Sequence, residues 1–137
     1  MKKYATDVEL FKGLFVKRSR EDLIMISREY KNMDKKRRNL YDAVEDTCSK
    51  TTKELLKAII FAVAIPSQYF AHLIKKSIAG IGTDEETLSR VLVTRHEIDM
   101  DFIRNYYKLE TKKELIEDIK GDTSGPYQKI CVKLADS

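Results

Sequence analysis

The strongest constraint on this 137-residue chain is that it repeats itself. Residues 7–30, DVELFKGLFVKRSREDLIMISREY, align without a gap on residues 84–107, DEETLSRVLVTRHEIDMDFIRNYY, at an offset of 77 residues. Asp7 falls on Asp84, Glu9 on Glu86, Val16 on Val93, Arg18 on Arg95, Asp22 on Asp99, Ile26 on Ile103 and Tyr30 on Tyr107. Apolar positions match as well: Phe11 with Leu88, Leu14 with Val91, Phe15 with Leu92, Leu23 with Met100. A repeated supersecondary unit constrains the architecture more than any single motif, because each copy must bury the same face.

The period inside each copy is helical. Leu88, Val91 and Leu92 form an i, i+3, i+4 stripe, and so do Met100, Ile103 and Tyr107. Thr83 and Glu86 have capping-box spacing, with Asp84 and Glu85 adding negative charge to the first turn. Asp99 starts the next helix. Lys112–Ile119 reads as a short helix closed by Gly121, and Thr123 or Ser124 caps a last one with Pro126 in its first turn. In the first copy, Lys35–Glu45 reads as a short helix and Thr52–Ile65 as a buried one that stops at Pro66. Ser67–Ala79 is a further helix carrying Tyr69, Phe70, Leu73, Ile74 and Ile78 on one side. No segment alternates as a strand. The expected class is all-α with nine helices: four in a truncated unit, residues 1–66, and five in a complete unit, residues 67–137. The first unit has no counterpart of Ser67–Ala79.

The composition suits such a fold: 42% apolar and 35% charged, with two prolines. The net charge of +4 favours an anionic surface without choosing between lipid and nucleic acid. The apolar run from Leu55 to Ile65 is broken by Lys57 and is too short to span a bilayer. The start, MKKYATDVEL, lacks the apolar stretch of a signal peptide. Cys48 and Cys131 are isolated, with neither zinc spacing nor a disulfide framework, and both read as small buried apolar residues. These features give a reduced, cytoplasmic protein as the expectation.

Two of the five glycines, Gly80 and Gly82, are packed into IAGIGTDEETL between two helices. Alone, a GxG pair is a helix-capping turn. No strand precedes it and no GK[ST] follows, so a nucleotide loop does not fit, and the twelve-residue acidic loop of an EF-hand is missing. Glycines at alternate positions let alternate carbonyls, those of Ile78, Gly80 and Gly82, turn toward one point. A hard cation such as calcium takes six to eight oxygens, so three carbonyls need a carboxylate from elsewhere. A second glycine cluster, KGDTSGP, offers Asp122.

These residues resemble an annexin repeat. AGIGTDE, the following LSRVLVTRHEIDMDFIRNYY, and KGDTSGPY stand in the order and spacing of that family's last repeat. The resemblance covers residues 67–137 most closely, and residues 6–66 look like the preceding repeat without its first helix. It implies a right-handed superhelical five-helix unit beside the shortened one. It also pairs the two glycine clusters, implying a calcium site formed by the carbonyls of Ile78, Gly80 and Gly82 and a bidentate Asp122. The implied function is calcium-dependent binding to anionic phospholipid membranes, with no enzymatic role. On that reading Ile81 and Thr83 contact the membrane, and the protein is cytoplasmic and joins membranes peripherally when calcium is present.

The chain departs from the family pattern at three points. Ala79 stands where a lysine or arginine is usual, which removes a phosphate contact but no metal ligand. Pro126 replaces a common acidic residue. The chain covers just under two repeats where the family usually has four. The first unit lacks the loop: KKYATDV has neither glycine, and EDTCSK places Lys50 near the expected one. Glu45 or Asp46 is left as a remnant acid without a carbonyl arc.

The other features have plainer readings. Arg18 and Arg95, at one repeat position, serve structure by folding back onto carbonyls or acids. Tyr30 and Tyr107 belong to the core. His72 and His96 have no partners for a triad or a zinc site. The basic run KNMDKKRRNL is a solvated loop without the interleaved aromatics that nucleic-acid platforms use, so nucleic acid is not an expected partner. A second function class is an annexin-derived interaction or scaffold module with vestigial calcium chemistry. A patch at Phe11, Leu14 and Phe15, uncovered by the missing helix, would then pair with another copy or another annexin half.

Overall fold

A computed structural model describes residues 13–137, and every described element is helical or a connection between helices. The matched residues up to Phe11, and the KKYATDV segment, lie outside the described part. The chain divides into two units, residues 1–65 and 66–137.

In the first unit, residues 13–15 are helical, followed by α1 (Arg20–Met33), α2 (Leu40–Thr47) and α3 (Lys50–Ala64). Ser19 opens α1 with a complete capping box: its hydroxyl accepts from the Asp22 amide at 3.1 Å, and Asp22 accepts from the Ser19 amide. The short helix predicted over Lys35–Glu45 begins five residues later. Residues 35–39 instead wrap the Asp34 carboxylate, which accepts from the amides of Lys36 and Arg38, each at 3.0 Å. The Arg38 guanidinium adds a contact at 2.9 Å, and Arg37 takes φ +52° to complete the bend. Asn39 then caps α2. The core is Phe15, Leu23, Val44, Cys48 and Leu56, with Leu14, Leu40, Ile59, Ile60 and Val63 packed against it. Phe15 is only 5% exposed, so the predicted uncovered patch is not found at Leu14 and Phe15; Phe11 lies outside the description. Helix α3 is less buried than predicted: Leu55 is 60% exposed.

The second unit holds α4 (Pro66–Ile78), α5 (Glu85–Arg95), α6 (Met100–Thr111), α7 (Leu115–Asp122) and α8 (Gly125–Ala135). Helix α3 ends at Ala64, just before Pro66 as expected, and Pro66 is itself the first residue of α4, one residue earlier than predicted, a position where its missing N–H costs nothing. Helix α4 lies against α5, α6 and α7, and α8 against α5 and α7. The shared core gathers Ala71 and Ile74 from α4, Leu88, Val91 and Leu92 from α5, Met100, Ile103 and Tyr107 from α6, Leu115 and Ile119 from α7, and Cys131 and Ala135 from α8. Lys112, at φ +64°, separates α6 from α7, so α7 starts later than predicted and runs through Gly121 instead of closing there.

Side-chain bonds tie these helices at their ends. Arg95 behaves as predicted, gripping Asp99 with two bonds of 2.8 Å and stacking on the Phe70 ring. Ser67 donates to the same carboxylate at 2.6 Å, fastening the start of α4 to the start of α6. Tyr107 is buried and its hydroxyl donates to Asp118 at 2.6 Å, tying α6 to α7; burial and that carboxylate both push the phenol's pKa up. Its counterpart Tyr30 is half-buried, not core. His72 meets Glu110, and His96 meets the Val93 carbonyl, each at 2.9 Å. Both cysteines are buried and free.

Candidate metal and membrane site

The α4–α5 connection is built from short-range bonds that leave its middle open. Ser77, buried, donates to the Ile74 carbonyl at 2.7 Å, and its own carbonyl accepts from the Asp84 amide at 2.8 Å. That second bond closes a loop over residues 78–83. Gly80 at φ +127° and Gly82 at φ +85° supply backbone that other residues rarely adopt. The start of α5 differs from the predicted capping box. Asp84 is the cap, accepting from the Thr87 amide at 3.0 Å, and that amide holds its carboxyl below the usual range. Glu85 and Glu86 sit in the first turn, as predicted.

Thr83 is thereby released from capping, and its hydroxyl turns to the other bend. It lies 2.5 Å from a carboxylate oxygen of Asp122 and 2.9 Å from the Asp122 carbonyl, across 39 residues of sequence. The α7–α8 bend is fixed from its own side as well. Thr123 donates to the Ile119 carbonyl at 2.6 Å, and the Gln128 amide donates to the carbonyls of Lys120 and Thr123. Gly125 turns the chain into α8 at φ +62°.

The two bends therefore meet. Ile78, Ala79, Gly121 and Asp122 line one cavity of about 560 Å³, together with Lys75, Glu110, Lys113 and Asp118 among others. Ile81 stands at the loop tip, fully exposed. Among the described residues, no hydrogen bond ends on the carbonyls of Ile78, Gly80 or Gly82, and no ion pair ends on Asp122. Nor do three His, Cys, Asp or Glu side chains gather there into a metal-binding group. Glu110 is already engaged by His72 and Lys75, and Asp118 by Tyr107 and Lys113, so a cation held at this place would draw on backbone oxygens and the Asp122 carboxylate, a hard-oxygen donor set that suits calcium. Sequence reasoning missed the Thr83–Asp122 contact, although Asp84 next to Thr83, the better cap of the two, was the available signal.

The first unit's acids are placed differently. Asp46 pairs with Arg38 at 2.8 Å, and Glu45 pairs with Lys53 at 3.1 Å and with Lys57. Lys57 and Lys53 hold the Glu45 carboxyl below its usual range.

The fold defines a helical-repeat protein in which a glycine loop faces a distant acidic bend. The annexin family model matches residues 69–134. Human annexin A4 is 38% identical over 133 residues, 97% of this chain and 41% of annexin A4. A solved structure of annexin III overlays with a TM-score of 0.86 at 32% identity, over 98% of this chain and 41% of that one. A calcium-bound annexin (Sm)1 overlays with a TM-score of 0.80 at 30% identity, over 88% of this chain and 34% of that one. The chain belongs to the annexin family and spans about two fifths of the length of the curated relatives it matches. No helix among the described residues is long and apolar enough to cross a membrane.

Proposed function

We propose that this chain is a non-enzymatic, calcium-dependent binder of anionic phospholipid surfaces, working through one site in its second unit. The carbonyls of Ile78, Gly80 and Gly82 and the carboxylate of Asp122 are its ligands. The observation that carries this is the Thr83–Asp122 contact, which sets the carboxylate beside the loop. Each carboxylate oxygen has two acceptor positions, so a hydrogen bond from Thr83 and coordination can coexist. Bound calcium would supply a divalent charge with open positions for lipid phosphate oxygens. The chain's own residues do the rest. The glycine backbone exposes unpaired carbonyls, and Ile81 offers an apolar side chain to the interface. Lys75 and Lys113 also line the cavity, but they are paired with Glu110 and Asp118 and do not replace the side chain that Ala79 lacks. On this reading the protein is cytoplasmic and peripheral on membranes when calcium is raised.

Among the described residues the first unit offers no matching free acid, because Asp46 is paired with Arg38 and Glu45 with Lys53 and Lys57. One site gives none of the gain of several acting together, so affinity is modest. No observation favours the scaffold reading, whose uncovered patch is buried at Phe15.

Co-sedimentation with phosphatidylserine vesicles tests the assignment. The parent pellets with calcium and not with a chelator, and Asp122→Ala stays in the supernatant at calcium levels that half-pellet the parent. Equal pelleting of the two proteins would falsify it.

A further inference from the structure

We infer that Thr83 is a positioning residue for Asp122, a neutral latch that holds the carboxylate at the loop without cancelling its charge. This rests on the calcium reading of the same site and adds to it the part that makes the site ready before any ion arrives.

The two units hold their bend acids in opposite ways. In the first, Asp46 is held by Arg38, and Glu45 by Lys53 and Lys57. Those cations fix the carboxylates and also neutralise them, so an incoming divalent ion would have to displace a bonded charge. In the second, Asp122 is held by the Thr83 hydroxyl at 2.5 Å, and no ion pair among the described residues ends on it. A hydroxyl donor fixes the position of a carboxylate and leaves its full negative charge for a cation. The nearby ammonium of Lys113 is turned to Asp118, at 3.6 Å.

The hydroxyl is also placed to join both segments. Thr83 is half-buried, its backbone carbonyl accepts from the Glu85 amide at 3.0 Å, and Asp84 has taken over the capping of α5. Its side chain is thus free of helix duty and contacts both the backbone and the carboxylate of Asp122. A carboxylate already at the loop need not be ordered when the ion binds, and removing that ordering cost raises affinity without a new ligand.

The test uses Thr83→Val, which keeps shape and removes the hydroxyl, beside Thr83→Ser, which keeps the hydroxyl. Calcium titration by calorimetry on the whole chain should show Thr83→Val weakened by roughly 10–100-fold, the usual cost of removing a group that orients a metal ligand. Thr83→Ser should restore the parent value. A second readout needs no calcium. In chelator, hydrogen exchange at the amides of Gly82, Thr83 and Thr123 should quicken in Thr83→Val and return in Thr83→Ser, with the core of α4 to α8 unchanged. Parent-like calcium affinity in Thr83→Val overturns the latch while leaving the calcium site standing. If the parent itself takes up no calcium, the site assignment falls. The exchange data then decide the latch alone, and unchanged exchange in Thr83→Val removes it too.

Discussion

The same stretch of sequence occurs twice in this molecule and ends up in two different settings. Ile103 and Tyr107 are 0% and 1% exposed, whereas Ile26 and Tyr30, aligned with them, are half-buried. Asp99 is gripped by Arg95 and Ser67, while its counterpart Asp22 completes a capping box with Ser19. The difference is α4. It lies on α6 in the second unit, and the described part of the first unit has no counterpart. The helical pattern fixes that both stretches are helices and which side faces inward. How deeply that side is buried depends on a neighbour outside the repeat.

The largest expected effect follows from that contrast. Ile103→Ala removes a fully buried side chain from a core to which five helices contribute, and should cost about 2–5 kcal/mol in urea unfolding. Ile26→Ala, at the matched position, should cost less than half as much, because its site is open on one side and the lost surface was already partly wet. Equal losses would mean that the first unit is as fully packed as the second and that the contrast in burial is not energetic.

The matched core positions were legible because period and repeat agree there. Leu23 and Met100, and Phe15 and Leu92, are buried in both copies, as the stripes require. The all-α class followed from the same pattern, while the family was carried by resemblance to the motifs around Gly80, Gly82 and Asp122. What was not legible came from side chains that had two good choices. Asp34 draws residues 35–39 into a bend, so a stretch with helical composition is not a helix. Thr83 and Asp84 are both good caps; the helix takes the Asp84 carboxylate, and only the fold shows what the Thr83 hydroxyl then does. Pro66 reads as a stop from one side and as a start from the other, and it is both: α3 ends at Ala64 and α4 begins at Pro66. The meeting of the 78–83 loop with Asp122 was suggested by resemblance alone, since nothing local links residues so far apart in sequence.

The aligned arginines sharpen the comparison at a smaller scale. Arg95→Ala strips a half-buried Asp99 of two short bonds and removes the cation from the Phe70 ring, which should cost about 1.5–3 kcal/mol. Arg18 is exposed, and Arg18→Ala should stay within about 0.5 kcal/mol of the parent. If both substitutions cost the same in thermal or urea unfolding, the shared arginine has one role in both units and α4 is not what separates them.

The smallest effect is expected from acid, and it should appear in the first unit's α1–α2 bend. The Arg38 guanidinium, followed by the Arg38 and Lys36 amides, holds Asp34 well below its ordinary value of 3.8, at about 2. The unfolded chain therefore takes up this proton first as pH falls. The bend's contribution is complete above about pH 4 and is lost as pH drops toward 2. Asp99 is also lowered. Burial pushes its carboxyl up, but the bonds from Arg95 and Ser67 outweigh that, so it adds to the same acid loss from the second unit. The two can be separated by substitution. Asp34→Asn should flatten the fall in unfolding midpoint between pH 4 and 2.5, and should speed exchange at the amides of Lys36 and Arg38 at neutral pH. Exchange in α6 should not change. The effect is small because Arg38 is 31% exposed, and solvent screens much of its attraction for Asp34. An acid slope identical to the parent's would show that the bend is held by its backbone alone, and that the carboxylate at residue 34 does not distinguish the first unit from the second.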